Sequence, residues 1–141
     1  MKDLRIDYSR PWQKNHLRSL KTAYNSSAFY DYMKDDIEEC ILRKYEFLLD
    51  LNLSIINVVS NILELDLNFK LSEEFIREYN GATDLRESIH PKKTNDGFMQ
   101  SVPVYFQVFG DREDFIPDLS ILDLMFNMGL ETYSYLRSCM A

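Results

Sequence analysis

Three successive apolar stripes with helical spacing, spread over residues 11–63, constrain the fold of this chain more than any other feature. The first stripe recurs at steps of four behind a proline suited to a first helical turn, and its members are Trp12, His16, Leu20 and Tyr24. The second lies opposite a face of acids, and its apolar members are Phe29, Met33, Ile37, Cys40 and Ile41. The third is the broadest and predicts a central core helix over residues 44–63. The sequence therefore predicts a predominantly helical core.

The segment over residues 117–129 carries a complete set of signals for one more helix. Ser120 takes the N-cap position, Asp123 can complete a capping box at the third helical position, and Gly129 suits a left-handed residue at the end. The alternative interpretation makes Ser120 a nucleophile with its acid, but no glycine-flanked elbow surrounds this serine. We therefore predict a structural cap, a C-terminal helix, and a further short helix over residues 131–138.

Three other segments predict strands, two by their alternation and one by its composition. Residues 2–8 alternate loosely, residues 65–71 alternate cleanly between apolar and polar side chains, and residues 102–109 are β-branched and aromatic on both faces. The expected fold class is therefore α+β, predominantly helical, with three N-terminal helices, a C-terminal helix and a small sheet of a few short strands. The length favours one domain over residues 1–141.

The composition bears on partners and compartment. A net charge of −7 argues against a general affinity for nucleic acid, because neutralising phosphates requires clustered Lys and Arg. Cys40 and Cys139 have neither a metal-type spacing nor the number expected of a disulfide framework. The amino terminus has no apolar stretch like that of a signal peptide, and no run approaches the ~20 apolar residues of a membrane span. We expect a cytoplasmic protein with reduced thiols and no membrane span.

A loop over residues 81–101 gathers the side chains best suited to binding and catalysis. Arg86, Lys92 and Lys93 could hold a carboxylate or phosphate, and His90 could carry a proton near neutral pH. The alternative is a solvated basic loop in an acidic protein. We take Arg86 and Lys92 as candidate substrate-binding residues for an anionic small molecule, and His90 as a candidate catalytic residue.

Two more polar residues lie inside apolar helical patterns. His16 is flanked by Trp12 and Leu20, so it is either a general base or a packed residue with one or two hydrogen bonds. Asn127 must be hydrogen bonded or line a substrate pocket if it is buried, and a satisfied core amide is the alternative. With two histidines and four glycines, the chain lacks the donors of a zinc site and the turns of a phosphate loop. We therefore predict no metal and no cofactor.

Several segments form a recognisable series along nearly the whole chain. They are Trp12-Gln13-Lys14-Asn15-His16 with Ser19 and Ala23-Tyr24, Phe29-Tyr30-Asp31-Tyr32, Phe47-Leu48-Leu49-Asp50-Leu51-Asn52, Asp84-Leu85-Arg86, His90-Pro91-Lys92, Tyr105-Phe106-Gln107-Val108-Phe109, and the run from Phe115 to Asn127. Their order and spacing together resemble the WbqC-like proteins of bacteria, in a form similar to that of Bacteroidetes. Such proteins usually carry a strand-rich segment before the first of these motifs. The resemblance therefore implies a C-terminal portion or a short form.

The resemblance also implies a functional context, because the family is named from a gene of O-antigen polysaccharide clusters. One hypothesis is a transferase acting on a sugar or nucleotide-sugar precursor, in which His16 or His90 moves the proton and both histidines share one cleft. The other is a non-catalytic binding or assembly module that contacts a protein partner or forms a homodimer through an exposed edge.

Overall fold

The protein was analysed as a computed structural model, which describes residues 3–72, 74–77, 81, 84–86 and 102–139. Within these residues lie five helices, which are α1 (Trp12–Tyr24), α2 (Tyr30–Leu42), α3 (Leu48–Ile62), α4 (Ile121–Met128) and α5 (Glu131–Cys139). They correspond to the predicted helices, with ends that differ by a few residues. None of the helices found there is both long and apolar enough to cross a membrane.

The predicted small sheet, and with it the α+β fold class, is wrong. Across the described residues, extended pairing is limited to one isolated antiparallel bridge between Arg5 and Phe47. Residues 65–71 and 102–109 contain no strand. A strand needs a neighbouring strand to pair its amide and carbonyl groups, and an alternating pattern does not supply that neighbour. The described part of the fold is therefore helical, and the described residues between α3 and α4 are irregular.

The side chains of the clean alternating segment show why it forms no sheet. Leu67, Phe69 and Leu71 are about half exposed, whereas Leu65 packs against the core. Leu65 is held there by the end of α3, because its amide donates to the carbonyl of Ser60 at 2.8 Å. Its position therefore comes from the helix before it and not from a strand partner.

The centre of the described fold is α2, not α3 as the sequence predicted. α2 packs against α1, α3 and α4. Its inner face supplies most of the buried core, which consists of Tyr30, Met33, Ile37 and Ile41 together with Leu63, Met125 and Phe126. The fully buried ring of Phe126 lies 5.1 Å from the rings of both Tyr24 and Tyr30. α4 therefore closes the core over the first two helices.

One side chain of α1 holds this helix against the end of α2. The amide nitrogen Nε2 of Gln13 donates to the carbonyl oxygens of Ile41 at 2.6 Å and Leu42 at 3.1 Å. These carbonyls belong to the last turn of α2, where backbone acceptors have no partner within the helix. Gln13, a residue of α1, therefore caps the C-terminal end of α2 with its side chain, and this contact fixes the position of the next turn of α1.

The cap predicted for the C-terminal helix is half formed. The hydroxyl of Ser120 accepts from the amide of Leu122 at 3.3 Å, which confirms Ser120 as the N-cap. In a capping box the side chain of Asp123 would accept from the amide of Ser120. The Asp123 carboxylate is instead buried and accepts from the hydroxyl of Tyr105. Gly129 ends the helix with φ at +61°, so the predicted positive φ is present.

Candidate functional site

Two apolar cavities flank His16 along α1. One has a volume of about 350 Å³, lies between α1 and α3, and is lined by Ile6, Trp12, His16, Ile41, Leu48, Leu51, Asn52 and Ile55. The other has a volume of about 370 Å³, lies further along α1, and is lined by His16, Ser19, Leu20, Ala23, Tyr24, Ile41 and Leu122. Because both cavities include His16 and Ile41, we describe them together as the His16 groove.

His16 lies on the predicted face of α1, but its side chain is exposed and not enclosed. Its ring meets the indole of Trp12 edge-on, with 5.6 Å between ring centroids and an angle of 77°. Within the part of the chain that the structure describes, no hydrogen bond reaches either ring nitrogen. An exposed imidazole at the junction of two cavities can accept or donate a proton toward a bound molecule.

The indole of Trp12 adds a buried donor to the wall of the groove. Its Nε1–H is shielded from solvent and has no acceptor among the described residues. A buried donor left unpaired costs about 1–3 kcal/mol, so an acceptor brought by a ligand would be stabilised there. The amide of Asn52 and the hydroxyl of Ser19 add two further polar groups. Apolar walls with a few placed polar groups are typical of small-molecule sites.

The groove also brings together residues that lie far apart in the chain but carry the sequence resemblance. Nine of its lining residues belong to the motifs quoted above, and they are Trp12, His16, Ser19, Ala23, Tyr24, Leu48, Leu51, Asn52 and Leu122. Three separate motifs therefore meet on one surface of the folded chain.

A buried carboxylate lies behind the groove wall formed by Tyr24. Asp123 is 4% exposed and accepts from the hydroxyl of Tyr105 at 2.6 Å. Burial, followed by the nearby charge of Asp123, raises the pKa of Tyr24 to about 12. Burial and the hydrogen bond to Asp123 also raise the pKa of Tyr105. Both phenols therefore stay neutral at physiological pH and can act as donors to the carboxylate.

The model of the WbqC-like protein family matches residues 1–94, which is 94 of the 141 residues and contains α1, α2 and α3. This chain belongs to the WbqC-like family. The family assignment made from the sequence is thereby confirmed, and most walls of the His16 groove lie inside the matched WbqC-like region, residues 1–94. No curated protein and no solved structure matches the chain.

Asn127 of this WbqC-like chain is buried, which is the condition on which both sequence-based interpretations depend. Its Nδ2 donates to the backbone carbonyl of Asp123 at 2.8 Å, whereas its buried Oδ1 has no partner among the described residues. Asn127 lines neither cavity of the His16 groove. The amide is therefore half satisfied, and its substrate-binding role stays a prediction.

Arg86 is placed within a local network of its own. Its Nε donates to both carboxylate oxygens of Asp84 at 2.9 and 3.0 Å, and its Nη1 donates to the carbonyl of Ile76 at 2.9 Å. The guanidinium also lies 5.0 Å from the ring centroid of Phe75. The hydrogen bonds from Arg86 hold the pKa of the Asp84 carboxyl at about 2. Binding of a substrate anion by Arg86 stays a prediction.

His90 and Lys92, the other candidates of the predicted loop, lie outside the described residues. The hypothesis that His90 shares a cleft with His16 therefore stays a prediction. Among the side chains that the structure describes, no group of three or more His, Cys, Asp and Glu could hold a metal ion.

Sequence reasoning missed the polar cluster around Asp123, because it assigned this residue to helix capping alone. One signal was available: Asp123 lies in the apolar run Ile121–Met128, where a buried carboxylate must find donors. The donor Tyr105 and the neighbouring Tyr24 come from distant segments, and no local spacing relates them to Asp123. Asn52 was missed for the same reason.

Proposed function

We propose that this WbqC-like chain binds a sugar or nucleotide-sugar precursor of a bacterial surface polysaccharide in the His16 groove and takes part in group transfer on that precursor. The polysaccharide context is supported by the gene cluster from which the family takes its name. The observation that carries the proposal is the meeting of three family motifs on a groove with an exposed histidine.

The groove offers the contacts that such a ligand needs. Apolar walls can cover the C–H faces of a sugar ring, while the Trp12 N–H and the Asn52 amide can pair with its oxygens. In the transfer step, His16 takes the proton of an acceptor hydroxyl as that oxygen forms a bond to the donor carbon. The bond to the leaving group breaks at the same time, and the leaving group keeps the electron pair.

The predicted loop completes the proposal at the anionic end of the ligand. Arg86 and Lys92 hold the phosphates, His90 serves as the second proton carrier, and Asn127 is the remaining candidate for substrate binding. The proposed compartment is the cytoplasm. It is supported by Cys40 and Cys139, which are both free thiols, as a reducing compartment requires.

Fluorescence of the single tryptophan tests the proposal directly, because Trp12 lines the groove. UDP-glucose, UDP-N-acetylglucosamine and UDP are titrated against the wild type, His16→Gln, and the control Lys14→Gln, which changes an exposed residue of the same helix. We expect saturable changes in emission with a nucleotide sugar, unchanged affinity in K14Q, and binding about tenfold weaker in H16Q, equivalent to about 1.4 kcal/mol. Emission unaffected by every nucleotide sugar, or equal affinity in H16Q and K14Q, would contradict the proposal.

A second candidate is a non-catalytic binding or assembly module that contacts a protein partner or a second copy of the chain. It is favoured by large apolar side chains left in solvent on the irregular segments, including Phe75 at 83%, Val104 at 76% and Phe106 at 66% exposure. Sedimentation of the wild type and of Phe106→Ser tests the homodimer. A dimer that dissociates in F106S supports this module, and a monomer at all concentrations counts against self-assembly.

A further inference from the structure

A separate cavity of about 380 Å³ lies between α2 and α3, and we call it the α2–α3 cleft. Its lining residues are Asp36, Glu39, Cys40, Arg43, Tyr45, Ser54, Val58, Asn61 and Ile62. None of them lines the His16 groove. The volume falls within the ~300–1,000 Å³ typical of small-molecule pockets.

The walls of the cleft follow from helical spacing. Asp36, Glu39 and Arg43 recur along one face of α2 and its C-cap, because residues three and four apart are neighbours on a helix. Glu39 and Arg43 are four apart and of opposite charge, yet within the described residues neither forms an ion pair with the other or with Asp36. The guanidinium of Arg43 instead lies 5.6 Å from the ring centroid of Tyr45. The charged groups of the cleft therefore remain open to a ligand.

The floor of the cleft is held in place by hydrogen bonds. The Tyr45 hydroxyl donates to Oγ of Ser54 at 2.7 Å, and Sγ of Cys40, itself 5% exposed, donates to the same oxygen at 3.3 Å. The backbone of Tyr45 is fixed on its other side by Tyr8, whose hydroxyl donates to the Tyr45 carbonyl at 3.0 Å and accepts from its amide at 2.9 Å. A floor fixed in this way loses little conformational entropy when a ligand binds.

The mixture of groups in the cleft selects one class of ligand. The carboxylates of Asp36 and Glu39 accept hydrogen bonds and Arg43 donates them, so a ligand must offer both donors and acceptors at its edge. Val58 and Ile62 form an apolar wall that suits a C–H face. A phosphate would be repelled by the two carboxylates, and the guanidinium offsets one of the two acidic charges, which weakens the attraction of the cleft for a simple cation. A neutral polyol ring with a polar edge and an apolar face satisfies every wall.

We propose that the α2–α3 cleft binds one neutral sugar residue, with its hydroxyls on Asp36, Glu39 and Arg43 and its C–H face on Val58 and Ile62. This site is distinct from the His16 groove and takes a ligand without phosphate. It goes beyond the function proposed above and stands even if the groove binds no nucleotide sugar.

The test uses amide NMR spectra of the full chain titrated with glucose, N-acetylglucosamine and cellobiose. We expect saturable shifts at Ser54 and at the side-chain amide of Asn61, with the indole signal of Trp12 unchanged. Asp36→Asn and Glu39→Gln should each weaken binding about tenfold, a change of about 1.4 kcal/mol. The matched control Asp35→Asn alters the exposed neighbour on the same helix and should bind like the wild type.

The same spectra report whether each variant is folded, and Glu39→Gln keeps the test valid if Asp36→Asn unfolds. Tighter binding of cellobiose than of glucose identifies a residue within a saccharide chain, and equal binding identifies a free monosaccharide. The proposal is overturned if no saccharide shifts the cleft signals, if D35N loses as much affinity as D36N, or if spermidine or UDP occupies the cleft instead. A saccharide that moves only the Trp12 signal supports the groove and also overturns the cleft.

Discussion

At the scale of single residues, Gly129 is tightly constrained by its backbone conformation and by a neighbouring ring. Its φ is +61°, and a Cβ added there would lie 2.7 Å from Cδ1 and Cε1 of the Phe29 ring. The backbone of Phe29 is held in place, because its amide donates to the carbonyl of Phe126 at 2.9 Å, so the ring can make room only by rotating its side chain. Glycine is therefore required both for its backbone conformation and for the approach of an aromatic ring.

Replacing Gly129 by alanine should destabilise the fold by about 3 kcal/mol, from overpacking and a positive φ together. Gly81→Ala is the matched control, since Gly81 also has a positive φ, at +79°, but no atom of the described residues lies within 4 Å of the added Cβ. Gly81→Ala should lower the free energy of unfolding by only about 1 kcal/mol, which is the penalty of the backbone conformation alone. Urea unfolding measures both changes, and equal losses would show that the contact with Phe29 is unimportant.

Tyr105 is a second residue at which the loss of a single atom should change the stability of the fold. Tyr105→Phe removes a hydroxyl that donates to the buried carboxylate of Asp123 at 2.6 Å. Because the acceptor is charged and buried, we expect a loss of about 1.5–3 kcal/mol in the free energy of unfolding. Tyr32→Phe, at an 82% exposed position, is the control and should change little. Similar stabilities of Y105F and the wild type would indicate that Asp123 is satisfied by other donors.

At the scale of elements, the end of α3 forms a Schellman motif. The amide of Leu65 donates to the carbonyl of Ser60 at 2.8 Å, the amide of Glu64 donates to that of Asn61 at 3.3 Å, and Glu64 has φ at +54°. Glycine is the residue that usually takes this position, because a side chain there is strained.

Glu64→Gly should therefore stabilise the protein by up to about 1 kcal/mol, the left-handed strain of Glu64 less the added freedom of the unfolded glycine. Glu64→Ala serves as the control, since it removes the same exposed side chain but keeps a Cβ. Thermal unfolding should show a higher Tm for E64G alone. A rise of the same size in E64A would assign the gain to the lost charge and not to the backbone.

The helices and the missing sheet show what the sequence could predict and what it could not. The apolar stripes of α1, α2 and α3 repeat within each segment, so local spacing was enough to predict these helices. Residues 65–71 have the correct period for a strand and residues 102–109 have the composition of one, but strand pairing depends on distant segments that neither signal specifies.

The residues of the candidate site also divide into those that local sequence indicated and those that it did not. His16 was predicted from its position on α1, and the cap at Ser120 from the residues beside it. The groove was not predicted, because Asn52 and Leu122 reach it from other helices. The polar partners of Asp123 were missed because no local pattern relates them to α4.

At the scale of the whole molecule, two half-buried tyrosines, Tyr24 and Tyr105, make stability depend on alkaline pH. The pKa of Tyr24 is raised to about 12 in the folded protein, from an ordinary value of 10.0, and the pKa of Tyr105 is raised as well. A raised pKa means that the neutral phenol is favoured by folding. The contribution of the neutral Tyr24 phenol to the free energy of unfolding is complete below about pH 10, where the unfolded tyrosine is also neutral. This contribution is lost as the pH rises through about 12.

We therefore expect the free energy of unfolding to fall steadily between about pH 10 and pH 12, together with the appearance of tyrosinate absorbance. Urea unfolding at a series of pH values measures the first, and ultraviolet difference spectra measure the second. Tyr24→Phe should show a shallower fall over this range, whereas Tyr32→Phe should match the wild type. A stability that is flat up to pH 12 would contradict the burial of these phenols.

The position of Phe126 between Tyr24 and Tyr30 also sets an order for folding. α1, α2 and α3 are close in sequence and can associate through short loops, but the ring that completes their core arrives from the far side of a long connection. During synthesis on the ribosome, the first three helices emerge well before that ring does. Until α4 leaves the exit tunnel, the space between Tyr24 and Tyr30 that the Phe126 ring fills is empty, and the aromatic surface around it is exposed. A chaperone would protect the nascent chain most at this stage.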